Sequence, residues 1–218
     1  MLSGCSHREI SKQPTITVTI EPLRYFAHQI AGERYQIQTM VPAGNNPETY
    51  EPTPRQMVEL NHTTLYFKVG RIGFETTWMR QLQENAPQMK VIDTSVGIVP
   101  AKSINGIEDP HTWMSCPSAR HIAYNIYRAL CQAWPADSSY FKRNYQQLIQ
   151  LAQTKKARII FVQQEFSPRN TVMIMNATGA HPYEFNPLAY NWFSQMRLIA
   201  QILQFTNTTQ NVRPHHTN

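Results

Sequence analysis

Between residues 15 and 93, short β-branched and apolar runs alternate with segments of helical periodicity, and this confines the chain to a parallel sheet flanked by helices. Residues 15–20 (TITVTI) are β-branched and alternating, so they read as a strand. Leu23, Phe26, Ala27 and Ile30 recur at helical spacing, which predicts a helix over 22–31 stopped by Gly32. Residues 35–40, 64–69 and 89–93 read as three more strands, and 74–85 as a helix. Thr53-Pro54-Arg55-Gln56 has the form of a helix start, with Thr53 as N-cap, Pro54 in the first position and Gln56 closing a capping box. The order is β-α-β-α-β-α-β.

A long loop over 94–111 follows. Helices are expected at 118–134, carrying Ile122, Ile126, Ala129 and Leu130 on one face, and at 138–153, with Tyr145, Leu148, Ile149 and Ala152. Pro135-Ala136-Asp137 separates them. Beyond lie an apolar strand at 158–162, a short helix at 170–177, a strand at 182–185 and a last helix at 188–204. The fold class is therefore α/β: a parallel-sheet lobe with flanking helices, a long linking helix and a reduced second α/β lobe. The expected divisions are a tether over 1–14, the first lobe over 15–117, a helical linker over 118–153, a shortened lobe over 154–205 and a polar tail over 206–218.

Composition narrows the function. Lys+Arg 20 against Asp+Glu 14 leaves +6, spread without a clustered basic stripe, which argues against a nucleic-acid binder. No apolar run approaches the roughly 18 residues of a membrane-spanning helix. G-x-S-x-G, H-E-x-x-H and Walker patterns are absent, so nothing points to an enzyme. The three cysteines, Cys5, Cys116 and Cys131, lack zinc-finger spacing and cannot all pair. Leu2-Ser3-Gly4-Cys5 resembles a bacterial lipobox, which marks Cys5 for lipidation; the alternative is a free thiol in a loose N-terminus.

Ligands of parallel α/β sheets bind beyond the carboxyl ends of the strands. Four loops qualify there: Asn45 to Pro54, Glu108 to Trp113, Gln163 to Phe166, and Phe185 to Leu188. Together these segments resemble the zinc/manganese class of solute receptors of bacterial ABC transporters. In that class the first loop resembles N-P-H-T-Y-E-P-T-P, the second D-P-H-x-W, and the last helix opens with D-P-L. The resemblance runs from Thr15 to Gln204.

The resemblance implies a divalent metal cargo, zinc first and manganese as the alternative, held between two lobes and handed to an ABC permease in the membrane. It also implies a place on the periplasmic face of the cell envelope, with Cys5 as lipid anchor. His111 matches a family ligand. Glu48 stands where the family has histidine; its carboxylate can bind Zn²⁺ or Mn²⁺ and hardens the site toward oxygen-preferring metals. Asn186 stands where the family has aspartate, and also fits an N-cap ahead of Pro187. Glu165, after the strand at 158–162, offers a further carboxylate or is simply solvated. No segment matches the loop carrying the family's third ligand, and helix 138–153 runs directly into Thr154-Lys155-Lys156. The expectation is therefore impaired metal affinity. The competing reading is a non-transport envelope scaffold protein derived from such a receptor.

Overall fold

The computed structural model describes residues 13–100, 108–154 and 186–209. Strands β1 (Thr15–Val18), β2 (Gln36–Thr39), β3 (Thr63–Lys68) and β4 (Lys90–Asp93) form one sheet in the order β2-β1-β3-β4, parallel throughout. Helix α1 (Glu21–Ala31) connects β1 to β2, α2 (Pro54–Glu59) precedes β3, and α3 (Gly73–Asn85) connects β3 to β4. Right-handed crossovers place α1 on one face of the sheet and α2 and α3 on the other. The chain reverses its direction of travel between β1 and β3, so the crevice at their carboxyl ends is the topological switch point.

Strand β1 lies inside the sheet and is buried on both faces, as parallel strands are. Ile16 and Val18 enter the apolar core with Leu23, Phe26, Leu65 and Phe67. Its other face is threonine, and the buried hydroxyls are satisfied locally. Thr17 Oγ1 lies 2.6 Å from Thr63 Oγ1 and accepts from Gln38 Nε2 at 2.9 Å.

The expected capping box forms at Thr53: its hydroxyl accepts from the Gln56 amide at 3.3 Å, and the Gln56 side chain accepts from the Thr53 N–H at 2.9 Å. Helices α4 (Cys116–Ala133) and α5 (Ser138–Thr154) pack against each other and against α1. Asp137, between them, accepts from Arg34 and from the Tyr35 hydroxyl, each at 2.7 Å, and so ties the start of α5 to the start of β2.

Two sequence expectations change at the last helix. It begins at Trp192 rather than 188, runs to Thr209, and is called α6 here. Asn191 is its cap, accepting from the Ser194 N–H at 3.0 Å. Asn186 instead turns its side-chain oxygen onto the Leu188 N–H at 2.9 Å, closing a local turn five residues ahead of the cap position. The expected strands at 158–162 and 182–185, the helix at 170–177, and Cys5 and Glu165 lie outside the described residues. Among the described residues no helix is long and apolar enough to cross a membrane.

The switch point is filled by a buried carboxylate. Glu75, in the first turn of α3, accepts from Thr19 Oγ1 at 2.6 Å, the Val69 N–H at 2.6 Å and the Gly70 N–H at 2.7 Å. Glu75→Ala strands the Val69 and Gly70 amides, while Thr19 keeps Tyr66 and the Phe67 carbonyl within reach, so a loss of roughly 2 kcal/mol is expected, read as a lower urea midpoint with unchanged slope.

Candidate functional site

The four strands all end on one edge, so the loops after β2, β3 and β4 share it. The loop after β2 first continues the sheet, with the Met40 and Val41 amides donating to Val18 and Thr19 carbonyls at 2.9 Å. It then turns at Asn46, whose side chain accepts from the Glu48 N–H at 2.9 Å.

Glu48 has a defined job there. Helix α3 lacks a side-chain cap of its own. Its first two amides are met from this loop: Gly73 N–H donates to Glu48 Oε2 at 2.9 Å, and Phe74 N–H to the Pro47 carbonyl at 2.8 Å. A carboxylate is favoured at that position by the positive end of the helix. The approach is close enough to demand glycine, since a Cβ at residue 73 would lie 2.9 Å from the Glu48 carbonyl oxygen.

The loop after β3 adds an ion pair between Arg71 and Glu108, which reaches across to the loop after β4. Next to Glu108, Asp109 holds the histidine turn. Its Oδ1 accepts the His111 N–H at 2.9 Å and lies 2.6 Å from His111 Nδ1. A carboxylate beside Nδ1 favours the tautomer that carries its hydrogen there, the arrangement found behind metal-ligating histidines. His111 also leans on the Trp113 ring, centroids 5.2 Å apart.

A cavity of about 340 Å³ opens between these loops, lined among others by Gly70, Arg71, Asp93, Ser95, Asp109 and Thr112. Asp93 is held by the Ser95 amide and hydroxyl at 2.9 and 2.7 Å and by Lys68 Nζ at 3.1 Å. Burial raises the Asp93 carboxyl, but those hydrogen bonds and the Lys68 charge outweigh it and hold it below its ordinary value. At Glu75 burial wins: it pushes the carboxyl up against the lowering effect of its hydrogen-bond donors and of Lys68.

Of the residues the sequence singled out, Glu48 and His111 stand on the same edge of the sheet, linked through Gly73, Arg71 and Glu108. Asn186 sits beside the His111 turn, because the adjacent Pro187 carbonyl accepts from Trp113 Nε1 at 3.0 Å. Its own side-chain oxygen is engaged by Leu188. Among the described residues no three His, Cys, Asp or Glu side chains converge as a metal ion requires. Sequence reasoning missed Asp109 as the holder of His111, Glu75 as the plug of the switch point, and the Lys68–Asp93 pair. For Asp109 the signal was present, an aspartate two residues before a histidine with proline between. For Glu75 it was an acidic residue in the first turn of a helix that opens on glycine.

The family model for the zinc-uptake complex component A, periplasmic (ZnuA), matches residues 16–151. A metal ABC transporter substrate-binding lipoprotein of Lactococcus lactis subsp. lactis is 28% identical over 213 residues, covering 88% of this chain and 66% of that protein. The manganese ABC transporter substrate-binding lipoprotein PsaA of Streptococcus pneumoniae is 27% identical over 207 residues, covering 87% of this chain and 65% of its own length. A crystal structure of ZnuA superposes with a TM-score of 0.72 at 25% identity, covering 88% of this chain and 98% of that one. The chain belongs to the ZnuA family of metal ABC transporter solute-binding proteins, a family of receptors and not of enzymes. It spans about two thirds of the length of the curated relatives it matches.

The lowered Asp93 carboxyl has a signed consequence. Its stabilising contribution is present above the unfolded value near 3.8 and is lost as pH falls through the lower native value. Asp93→Asn should therefore be less stable than the wild type at pH 7, with the gap narrowing on acidification toward pH 3. Urea melts at the two pH values measure it.

Proposed function

We propose that this chain is the solute-binding component of an ABC transporter for a divalent metal, zinc first and manganese as the alternative. It captures the cation with His111 and Glu48 on the first lobe, and Asn186 and Glu165 are the further candidate donors from the shortened second lobe. It then presents the cation to a membrane permease from the periplasmic face, with Cys5 as the lipid anchor. The division into a tether, a first lobe over 15–117, a linker over 118–153 and a reduced lobe over 154–205 belongs to the same reading.

The observation that carries it is the Asp109–His111 pair within a family of metal receptors. A carboxylate behind the imidazole orients the ring and raises its basicity toward a cation. Binding should be weaker than in a receptor with a full shell of histidine and carboxylate ligands. Glu48 is shared with the α3 N-terminus, and a neutral amide at 186 is a poor partner for zinc.

The scaffold reading keeps a claim through one observation: no three candidate ligands converge among the described residues. Calorimetric titration with zinc chloride separates the two. The receptor reading expects saturable one-site binding, weakened roughly 100-fold in His111→Ala, about 2.7 kcal/mol, and roughly tenfold in Asp109→Asn. Absence of binding to the wild-type chain, or equal binding by His111→Ala, favours the scaffold.

A further inference from the structure

We infer that Trp113 and Trp192 form a clasp that positions the His111 turn and carries its metal occupancy to helix α6. The inference rests on His111 being a metal ligand, as proposed above.

The geometry is reciprocal. Trp113 Nε1–H donates to the Pro187 carbonyl at 3.0 Å, in the segment leading to α6. Trp192 Nε1–H, at the first residue of α6, donates back to the Trp113 carbonyl at 2.8 Å. Both indoles are almost wholly buried, Trp113 at 1% and Trp192 at 5% exposure. A buried indole N–H has no substitute partner in water, so separating the two segments would leave two donors unsatisfied. The clasp thus joins stretches of chain 74 and 79 residues apart.

Each end is anchored. On one side His111, Thr112, Trp113 and Met114 form a single tight turn closed by the Met114 amide on the His111 carbonyl at 3.0 Å. Trp113 cannot shift without carrying His111 along. On the other side the Trp192 ring packs on Phe26 of α1 at 5.0 Å, and Tyr190 packs on Tyr25 at 6.1 Å with the Arg24 guanidinium 5.0 Å from its ring centre. The histidine turn belongs to no strand. Its placement on the sheet edge comes from the Arg71–Glu108 pair, the Asp109 contacts and these two indoles. Trp113 and Trp192 are therefore positioning residues. They set where the imidazole stands, and a cation that draws on the imidazole pulls the α6 end through the same two hydrogen bonds.

The test uses the indole N–H resonances of the whole chain, which has 4 tryptophans. On adding zinc chloride, the Trp113 and Trp192 signals should move while those of Trp78 and Trp134 stay. Neither should move in His111→Ala. Trp192→Phe keeps an aromatic ring, though a smaller one, and deletes the donor; its zinc affinity should fall about tenfold, the scale of a lost supporting hydrogen bond, with the helical circular dichroism unchanged. A purely structural role for the pair would leave the Trp192 signal indifferent to zinc. If wild-type chain binds zinc, His111→Ala loses it, and the Trp192 signal stays still, the coupling is overturned while the receptor reading stands. If His111→Ala binds like wild type, both fall. The wild-type spectra decide the matter even if Trp192→Phe does not fold.

Discussion

The capture of Glu75 at the carboxyl ends of β1 and β3 is the constraint on which the binding edge depends. A parallel sheet that reverses its order leaves a crevice between the two strands flanking the reversal. In this chain the crevice is closed by a carboxylate holding the end of β1 through Thr19 and the start of the β3–α3 loop through two amides. Tyr66 extends the chain of hydroxyls, its oxygen 3.1 Å from Thr19 Oγ1. Once α3 is seated by Glu75, its first amides face the loop after β2 and can take Glu48 and Pro47. The same seating places Arg71 where it meets Glu108, one residue ahead of the aspartate that orients His111.

Chemically, the edge has a softer and a harder half. His111, backed by Asp109, offers a nitrogen suited to zinc. Glu48 offers oxygen, but an oxygen that already serves a helix terminus. A cation bound there would compete with the α3 N-terminus for the negative charge, so affinity and helix stabilisation draw on one group. Under the receptor reading proposed above, that competition and the neutral Asn186 both act toward weaker binding than in a full histidine and carboxylate shell.

What was legible in the sequence follows the range of the interactions involved. The Thr53–Gln56 box spans three residues and could be read directly. The four strands and their order of appearance followed from periodicity, and the parallel sheet from their alternation with helices. Asn186-Pro187 misled because an asparagine before proline looks like a helix start, and only the fold shows Asn191 in that role. Glu75 and its hydroxyl partner are 56 residues apart, and Trp192 meets a carbonyl 79 residues away. No local pattern announces pairs of that kind; they exist only once the sheet has ordered its strands.

The contact between residues 48 and 73 also sets a steric condition on both positions. With the backbone of one lying against the α-carbon of the other, a side chain at 73 would expel the loop that carries residue 48. Exchanges at 48 are tolerable only among groups able to meet an exposed helix amide, and glycine at 73 is the condition of any of them. A side chain at 73 and the present course of the loop at 48 exclude each other.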